Sequence, residues 1–298
     1  MDLPRPQRTL ARPARITGFG YWTGRDVTVE FRPARADTGV VFVRRDLTPG
    51  RRIPALVQHR VETPRRTTLV CGGTSVEMVE HVLAALAGLQ IDNCEVWVDQ
   101  AELPGLDGSS LPLVQCLSAA GVQAQPTLRP TLVVRHILRV GNDQAWVEAR
   151  PGQSPRTMVH YDLDYGPGNP IGRQQFEALV TPEVFVQEIA PARTFVLREE
   201  AEWLRKQGIA QRATHRDLIV FDRKGPIDNV LRFADECVRH KALDLIGDLA
   251  LSGCDLHGCF IAHRSGHRLN AELVRVLLSQ YGTAAYGDMP PELLRRIA

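Results

Sequence analysis

Period-two alternation of apolar and polar residues opens the chain. Val27, Val29 and Phe31 alternate with Thr28, Glu30 and Arg32, which predicts a half-buried strand. Residues 39–44 read as a second strand. Thr74-Ser75-Val76-Glu77 has the form of a capping box, and Val76, Val79, Val82, Leu83 and Leu86 recur at helical spacing. Together they predict a helix over 75–87, closed by Gly88. A strand is expected over 92–100, with Cys94, Val96 and Val98 on one side, then a turn-rich loop over 104–110 and a short helix over 111–120. Gly121, Pro126 and Pro130 predict a linker over 121–130. The pattern then restarts: strands over 131–140, 143–150 and 156–164, a Gly/Pro-rich loop over 165–172, a helix beginning near Pro182, and a helix over 198–207 stopped by Gly208. A strand over 218–222, a long helix over 232–251 ended by Gly253, a strand over 259–263 and an amphipathic helix over 269–280 complete the series. Strands and helices mix without strict βαβ alternation, so the expected class is α+β rather than a doubly wound sheet. With ~150 residues per domain as a guide, the restart predicts two domains, 1–126 and 127–298.

Composition narrows the function classes. The 298 residues are 44% hydrophobic, 23% charged and 6% aromatic, with a net charge of +2 from 36 basic and 34 acidic side chains. That is globular composition, and the near-balance of charge argues against a nucleic-acid-coating protein. The longest apolar stretch, 82–89, falls far short of the ~18 residues of a membrane span. Arg5, Arg8, Arg12 and Arg15 read as a basic tail ahead of the first strand, with no apolar segment behind them to make a secretory signal. The six cysteines form no Cys-x-x-Cys pair and sit mostly in apolar contexts, which fits a reducing cytoplasm.

Four segments carry candidate chemistry. In the long helix His240 and Asp244 are four apart and share a face, a spacing that suits one metal ion, and Asp248 continues the stripe one turn on. Opposite stand Val238, Ala242, Leu245, Ile246 and Leu249, so a solvated polar face is the more natural reading of the stripe taken alone. Glu80-His81 pairs an acid with a possible ligand, either a core histidine or a base beside a metal. Glu77-x-x-Glu80-His81 differs from the inverted zinc-protease pattern His-x-x-Glu-His at its first position. Ser265-Gly266-His267-Arg268 is a loop after a strand. Ala192-Arg193-Thr194-Phe195 leads toward a helix, where Thr194 is either a hydrogen-bond donor to a ligand or an N-cap. A site that leaves one position open needs three protein ligands, and His81 is the natural third beside His240 and Asp244. The two halves must then meet face to face.

These residues, taken with others, resemble the UDP-3-O-acyl-N-acetylglucosamine deacetylases of lipid A biosynthesis. The matching segments run in family order: Thr23-Gly24, Arg32-Pro33-Ala34, Thr38-Gly39-Val40, the stretch 79–89, Ile91-Asp92-Asn93, Asp107-Gly108-Ser109, Ile171-Gly172-Arg173-Gln174, Ala192-Arg193-Thr194-Phe195, Leu231-Arg232-Phe233, the stretch 238–244, Ile246-Gly247-Asp248 and Ser265-Gly266-His267. The resemblance implies two two-layer α/β sandwich domains packed through their helix layers, with the active site at the interface. It implies one Zn2+ per chain held by His81, His240 and Asp244, and Glu80 as general base. Thr194 would help hold the oxyanion, Lys241 would contact substrate, and Phe195 would pack near the sugar or acyl chain. His267 would be the charge-stabilising acid tuned by Asp248, with His267 or Glu80 protonating the leaving amine. The implied substrate is acylated UDP-N-acetylglucosamine, acted on by a cytoplasmic monomer with no nucleic-acid partner and at most peripheral membrane contact.

The sequence also departs from the family pattern. Gly-Leu-His-Thr-Gly is here Gly20-Tyr21-Trp22-Thr23-Gly24, and the Ser-Thr before the Glu-His pair is Glu77-Met78. Glu77, one helical turn from His81 in the predicted helix, is placed to bond its ring or compete for metal. Val196 stands where a Gly often follows the Phe, and 212–217 replace a Gly-Gly-Ser-x-Asp-Asn stretch. Tyr21 and Val196 are expected to narrow an apolar passage. The competing readings are a paralogue deacetylating another N-acetylated sugar nucleotide and a non-catalytic ligand-binding paralogue.

Overall fold

The computed structural model describes residues 4–282. Two sheets organise it. The first runs Ala14–Phe19, Asp26–Pro33, Cys94–Val98, Val40–Arg44, Arg51–Pro54. The second runs Leu138–Gly141, Trp146–Arg150, Asp255–His263, Thr157–Asp164, Arg173–Leu179, and Thr131–Val133 also pairs with its central strand. Numbered within each sheet in chain order, both read 1-2-5-3-4. Both are antiparallel except where strand 5 meets strand 3, and Thr131–Val133 also runs parallel to its partner. The two halves of the chain therefore repeat one topology that the sequence pattern does not display.

Six α-helices among the described residues complete the fold: α1 (Glu80–Gly88), α2 (Leu111–Ala120), the single turn α3 (Pro182–Val184), α4 (Arg198–Lys206), α5 (Glu236–Leu249) and α6 (His267–Tyr281). In each half one long helix precedes strand 5 (α1, α5) and one follows it (α2, α6). Strand alternation puts Val29, Phe31, Phe42 and Val96 of the first sheet, and Val147, Tyr161 and Phe260 of the second, into the core. Helices α1 and α5 pack directly on each other. Gly247 permits this: a Cβ there would lie 2.2 Å from the Glu80 carbonyl oxygen, a distance backbone atoms cannot yield to. On α5 only Arg239 and Lys241 escape full burial, as expected of a helix enclosed between layers. Each half also carries an insertion between strand 4 and its first long helix. The first is a small sheet (Arg60–Val61, Thr68–Cys71, Thr74–Glu77); the second holds α3, α4 and the sheet Phe195–Leu197, Ile219–Asp222, Gly225–Pro226.

Several expectations need correction. Residues 74–77 form a strand paired with 68–71 rather than the start of a helix. Thr74 and Val76 are buried while Ser75 and Glu77 are half-buried, a period of two that outweighs the capping-box resemblance. The expected linker is the strand Val122–Leu128, and the expected basic tail is its antiparallel partner Pro6–Leu10. Arg5 is no tail residue; its guanidinium grips Asp92 and Asp255, joining the two halves. The edge strand Arg173–Leu179 has no apolar alternation to predict it, because its side chains are mostly polar and only Phe176 is buried. The polar stripe of α5 is not a solvated face: His240, Asp244 and Asp248 are all buried.

Candidate metal centre and active site

The site assembles where the first turn of α1 meets the middle of α5. Met78 adopts φ 59°, a left-handed conformation uncommon outside glycine, and turns the chain from the strand ending at Glu77 into α1. Glu80 and His81 thus stand at the helix start, where the dipole favours the Glu80 carboxylate. The rings of His81 and His240 lie 5.0 Å apart, edge to face. Asp244 Oδ1 is 3.7 Å from His81 Nε2 and 3.6 Å from His240 Nε2. Ligands ~2.0–2.1 Å from a tetrahedral ion stand about 3.4 Å from one another, so the spacing and the nitrogen–nitrogen–oxygen donor set fit a divalent metal such as zinc. Among the described residues this is the one three-donor cluster of His, Cys, Asp or Glu.

The ligand atoms are aimed by their other contacts. His240 Nδ1 lies 3.1 Å from the Ala192 carbonyl, which leaves Nε2 facing the cluster. That carbonyl is fixed by the next residue: Arg193 donates from Nε to Glu236, 2.8 Å away and fully buried at the start of α5. Burial holds the His240 imidazole neutral, its pKa lowered to about 3, as a metal ligand requires. Burial opposes ionisation of Asp244, but Lys241 Nζ at 2.6 Å from Oδ2, acting together with the His240, His81 and His267 rings, outweighs it and holds the carboxyl well below the usual range. Lys241 is reciprocally raised despite its own burial. Asp244 thereby offers Oδ1 to the cluster while Oδ2 is occupied by the ammonium.

His267 opens α6, rather than lying in a loop ahead of it. Its Nδ1 is 2.8 Å from Asp248 Oδ2, and its Nε2 is 4.0 Å from both Glu80 Oε1 and Asp244 Oδ2. Burial disfavours its charge, but the Asp248 carboxylate, joined by Asp244 and Glu80, overcomes this and raises the pKa to about 9. Burial pushes the Glu80 carboxyl up, with His267 and His81 pulling it partly back. Thr67, which no sequence pattern singled out, donates its amide to Glu80 Oε2 and its hydroxyl to Asp248 Oδ1. Asn270, also unanticipated, donates to Asp248 Oδ2.

These groups border a cleft of about 760 Å³ lined by Glu80, His81, Thr194, Phe195, His240, Lys241, Asp244 and His267. Thr194 is no N-cap; it precedes the strand 195–197 and its carbonyl accepts from Ile219. Phe195 stacks edge-on against His240 at 6.3 Å and Tyr165 at 5.9 Å. Leu204, Ile209, Ala213, Leu218 and Val220 make the far wall apolar. Tyr21, Trp22 and Val196 also line the cleft. Tyr21 is anchored through its hydroxyl to the Asp217 carbonyl. Glu77 does not reach His81: from its strand it pairs with Arg66, whose guanidinium lies over the Trp22 ring, 4.3 Å from its centroid. A larger cleft of about 1230 Å³ opens at the far end of α1 and α5, lined by Leu83, Leu86, Ile246 and Leu249 with Arg5 and Arg129. The three-donor cluster lies in the smaller one, so size does not locate the chemistry.

No helix among the described residues is long and apolar enough to cross a membrane. Residues 7–279 match the family model described as UDP-3-O-acyl N-acetylglycosamine deacetylase. The chain is 39% identical over 274 residues to the UDP-3-O-acyl-N-acetylglucosamine deacetylase of Thermosynechococcus vestitus, covering 92% of this chain and 94% of that one. It is 40% identical over 277 residues to the protein of that name from Anaeromyxobacter dehalogenans, with 92% and 87% covered. For the Haemophilus influenzae protein of the same name the identity is 38% over 277 residues, with 92% and 90% covered. The matched span contains the whole constellation around the His–His–Asp cluster, and the chain belongs to the UDP-3-O-acyl N-acetylglycosamine deacetylase family.

Proposed function

We propose that this protein is a zinc-dependent amidohydrolase that removes the 2-N-acetyl group of UDP-3-O-acyl-N-acetylglucosamine, releasing acetate and the free amine, in lipid A biosynthesis. The observation that carries the reading is the buried His81–His240–Asp244 cluster with the Glu80 carboxylate beside it, in a chain of this family. A zinc ion held by those three residues would supply Lewis acidity toward the amide carbonyl and toward water.

The chain's own residues carry the remaining steps. Glu80 accepts the proton of the attacking water through Oε1, the oxygen not engaged by Thr67. The Thr194 hydroxyl donates to the developing oxyanion. His267, protonated at neutral pH through Asp248, stabilises the negative charge and passes its Nε2 proton to the departing amine as the C–N bond breaks. Lys241 holds Asp244 ionised and presents a cation to the oxygen-rich substrate. Phe195 and the apolar wall take the sugar and acyl chain. The proposal includes a cytoplasmic monomer with two domains, 1–126 and 127–298, touching membranes at most peripherally.

Acetate release from the purified protein and the UDP-sugar, with zinc measured on the same sample, tests the proposal. Turnover that disappears with chelation and returns with zinc is the expected result. A second reading is favoured by Trp22 and Tyr21 at the cleft. In that reading the same chemistry acts on a different N-acetylated sugar nucleotide, and zinc-loaded protein would release no acetate from the acylated substrate.

A further inference from the structure

We propose that Thr67 is a positioning residue for this reaction, fixing the base and the acid together; the proposal rests on the deacetylase reading above. Thr67 lies just ahead of the strand 68–71 and has no exposed surface. Its amide N–H meets Glu80 Oε2 at 3.0 Å and its hydroxyl meets Asp248 Oδ1 at 2.6 Å. Glu80 belongs to α1 and Asp248 to α5, so one residue of the first insertion ties the two helices that build the site. Each carboxylate is left with one oxygen for chemistry. Glu80 keeps Oε1, which faces His267 Nε2 at 4.0 Å. Asp248 keeps Oδ2, which takes His267 Nδ1 and Asn270 Nδ2, each at 2.8 Å.

The physical cost of losing the hydroxyl is specific. Asp248 is fully buried, and Thr67 supplies the donor on Oδ1. Without it a buried charged oxygen lacks a partner, and the carboxylate is free to rotate toward another donor. His267 Nδ1 follows Asp248, so its Nε2 moves relative to Glu80 and to the leaving nitrogen. Misplacement of a catalytic group on this scale is worth up to about 100-fold in rate. Metal ligands are untouched, since neither hydrogen bond that Thr67 donates goes to His81, His240 or Asp244.

Thr67→Val removes the hydroxyl and keeps both the shape and the amide; Thr67→Ser keeps both donors. The Val variant is expected to lose about 10- to 100-fold in kcat, with KM and zinc stoichiometry unchanged. The Ser variant restores kcat. In 15N-histidine-labelled metal-free protein, the His267 Nδ1–H resonance moves in the Val variant and not in the Ser variant. Should Thr67→Val fail to fold, Thr67→Ala carries the same expectations. A folded Val variant with wild-type kcat and an unmoved resonance overturns the proposal, as does equal loss of kcat in Val and Ser. If the wild-type protein releases no acetate at all, the deacetylase reading fails while the resonance still decides whether Thr67 sets the His267 ring.

Discussion

At the scale of single residues, the site is a set of charges sorted by what touches each carboxylate oxygen. Asp244 divides its oxygens between the imidazole cluster and Lys241, and Glu80 divides its own between Thr67 and the cleft. Glu80→Gln keeps size and loses the base, so zinc content should persist while kcat falls by about 10²–10⁴; unchanged turnover would remove Glu80 from its assigned role. For His267, the folded pKa of about 9 stands above the unfolded ~6.5. The folded chain holds this proton more tightly, so the pair with Asp248 contributes its full stability below pH ~6.5 and loses it as pH rises toward 9. Chemical denaturation of metal-free wild type and His267→Gln across that range should show the difference between them shrinking as pH rises. The cluster was legible because His240 and Asp244 sit four apart on a helix and Glu80 adjoins His81. Thr67 and Asn270 were not, because a hydroxyl 181 residues from its carboxylate partner leaves no spacing to read.

At the scale of elements, α1 and α5 meet through backbone as much as through side chains. Gly247→Ala would drive a Cβ into the Glu80 carbonyl, so the helices must separate. We expect a loss of about 1–3 kcal/mol in stability with weakened zinc affinity, both read by thermal melts at fixed zinc. Wild-type melting and affinity would mean that the two helices are not in backbone contact. Strong helical periodicity made most helices legible, and Leu111–Ala120 falls where the pattern put it. Failures fall on short strands whose evidence is tertiary. Val122–Leu128 contains Pro126 and exposes most of its residues, so only its partner Pro6–Leu10 marks it as a strand. At Thr74–Glu77 two local signals compete. The strand wins because Thr68–Cys71 supplies a ladder, which moves Glu77 away from His81 and onto Arg66.

At the scale of the whole molecule, two copies of one strand order face each other through α1 and α5, and each copy contributes to the His–His–Asp cluster. The repeat was invisible in the sequence because the topology is shared while the inserted segments are not. An ion held by all three residues would favour the folded state, since in the unfolded chain His81 lies far along the sequence from His240 and Asp244. Zinc at 1,000 times its Kd should therefore add about 4 kcal/mol of stability. His81→Ala should abolish most of that gain without unfolding the protein; a zinc-induced shift that survives the substitution would place the ion elsewhere. The most direct test of the account is an anomalous difference map at the zinc edge from crystals of protein that releases acetate. It should show one peak within ~2.0–2.2 Å of His81 Nε2, His240 Nε2 and an Asp244 oxygen. An active crystal whose metal peak lies away from those three atoms would contradict it.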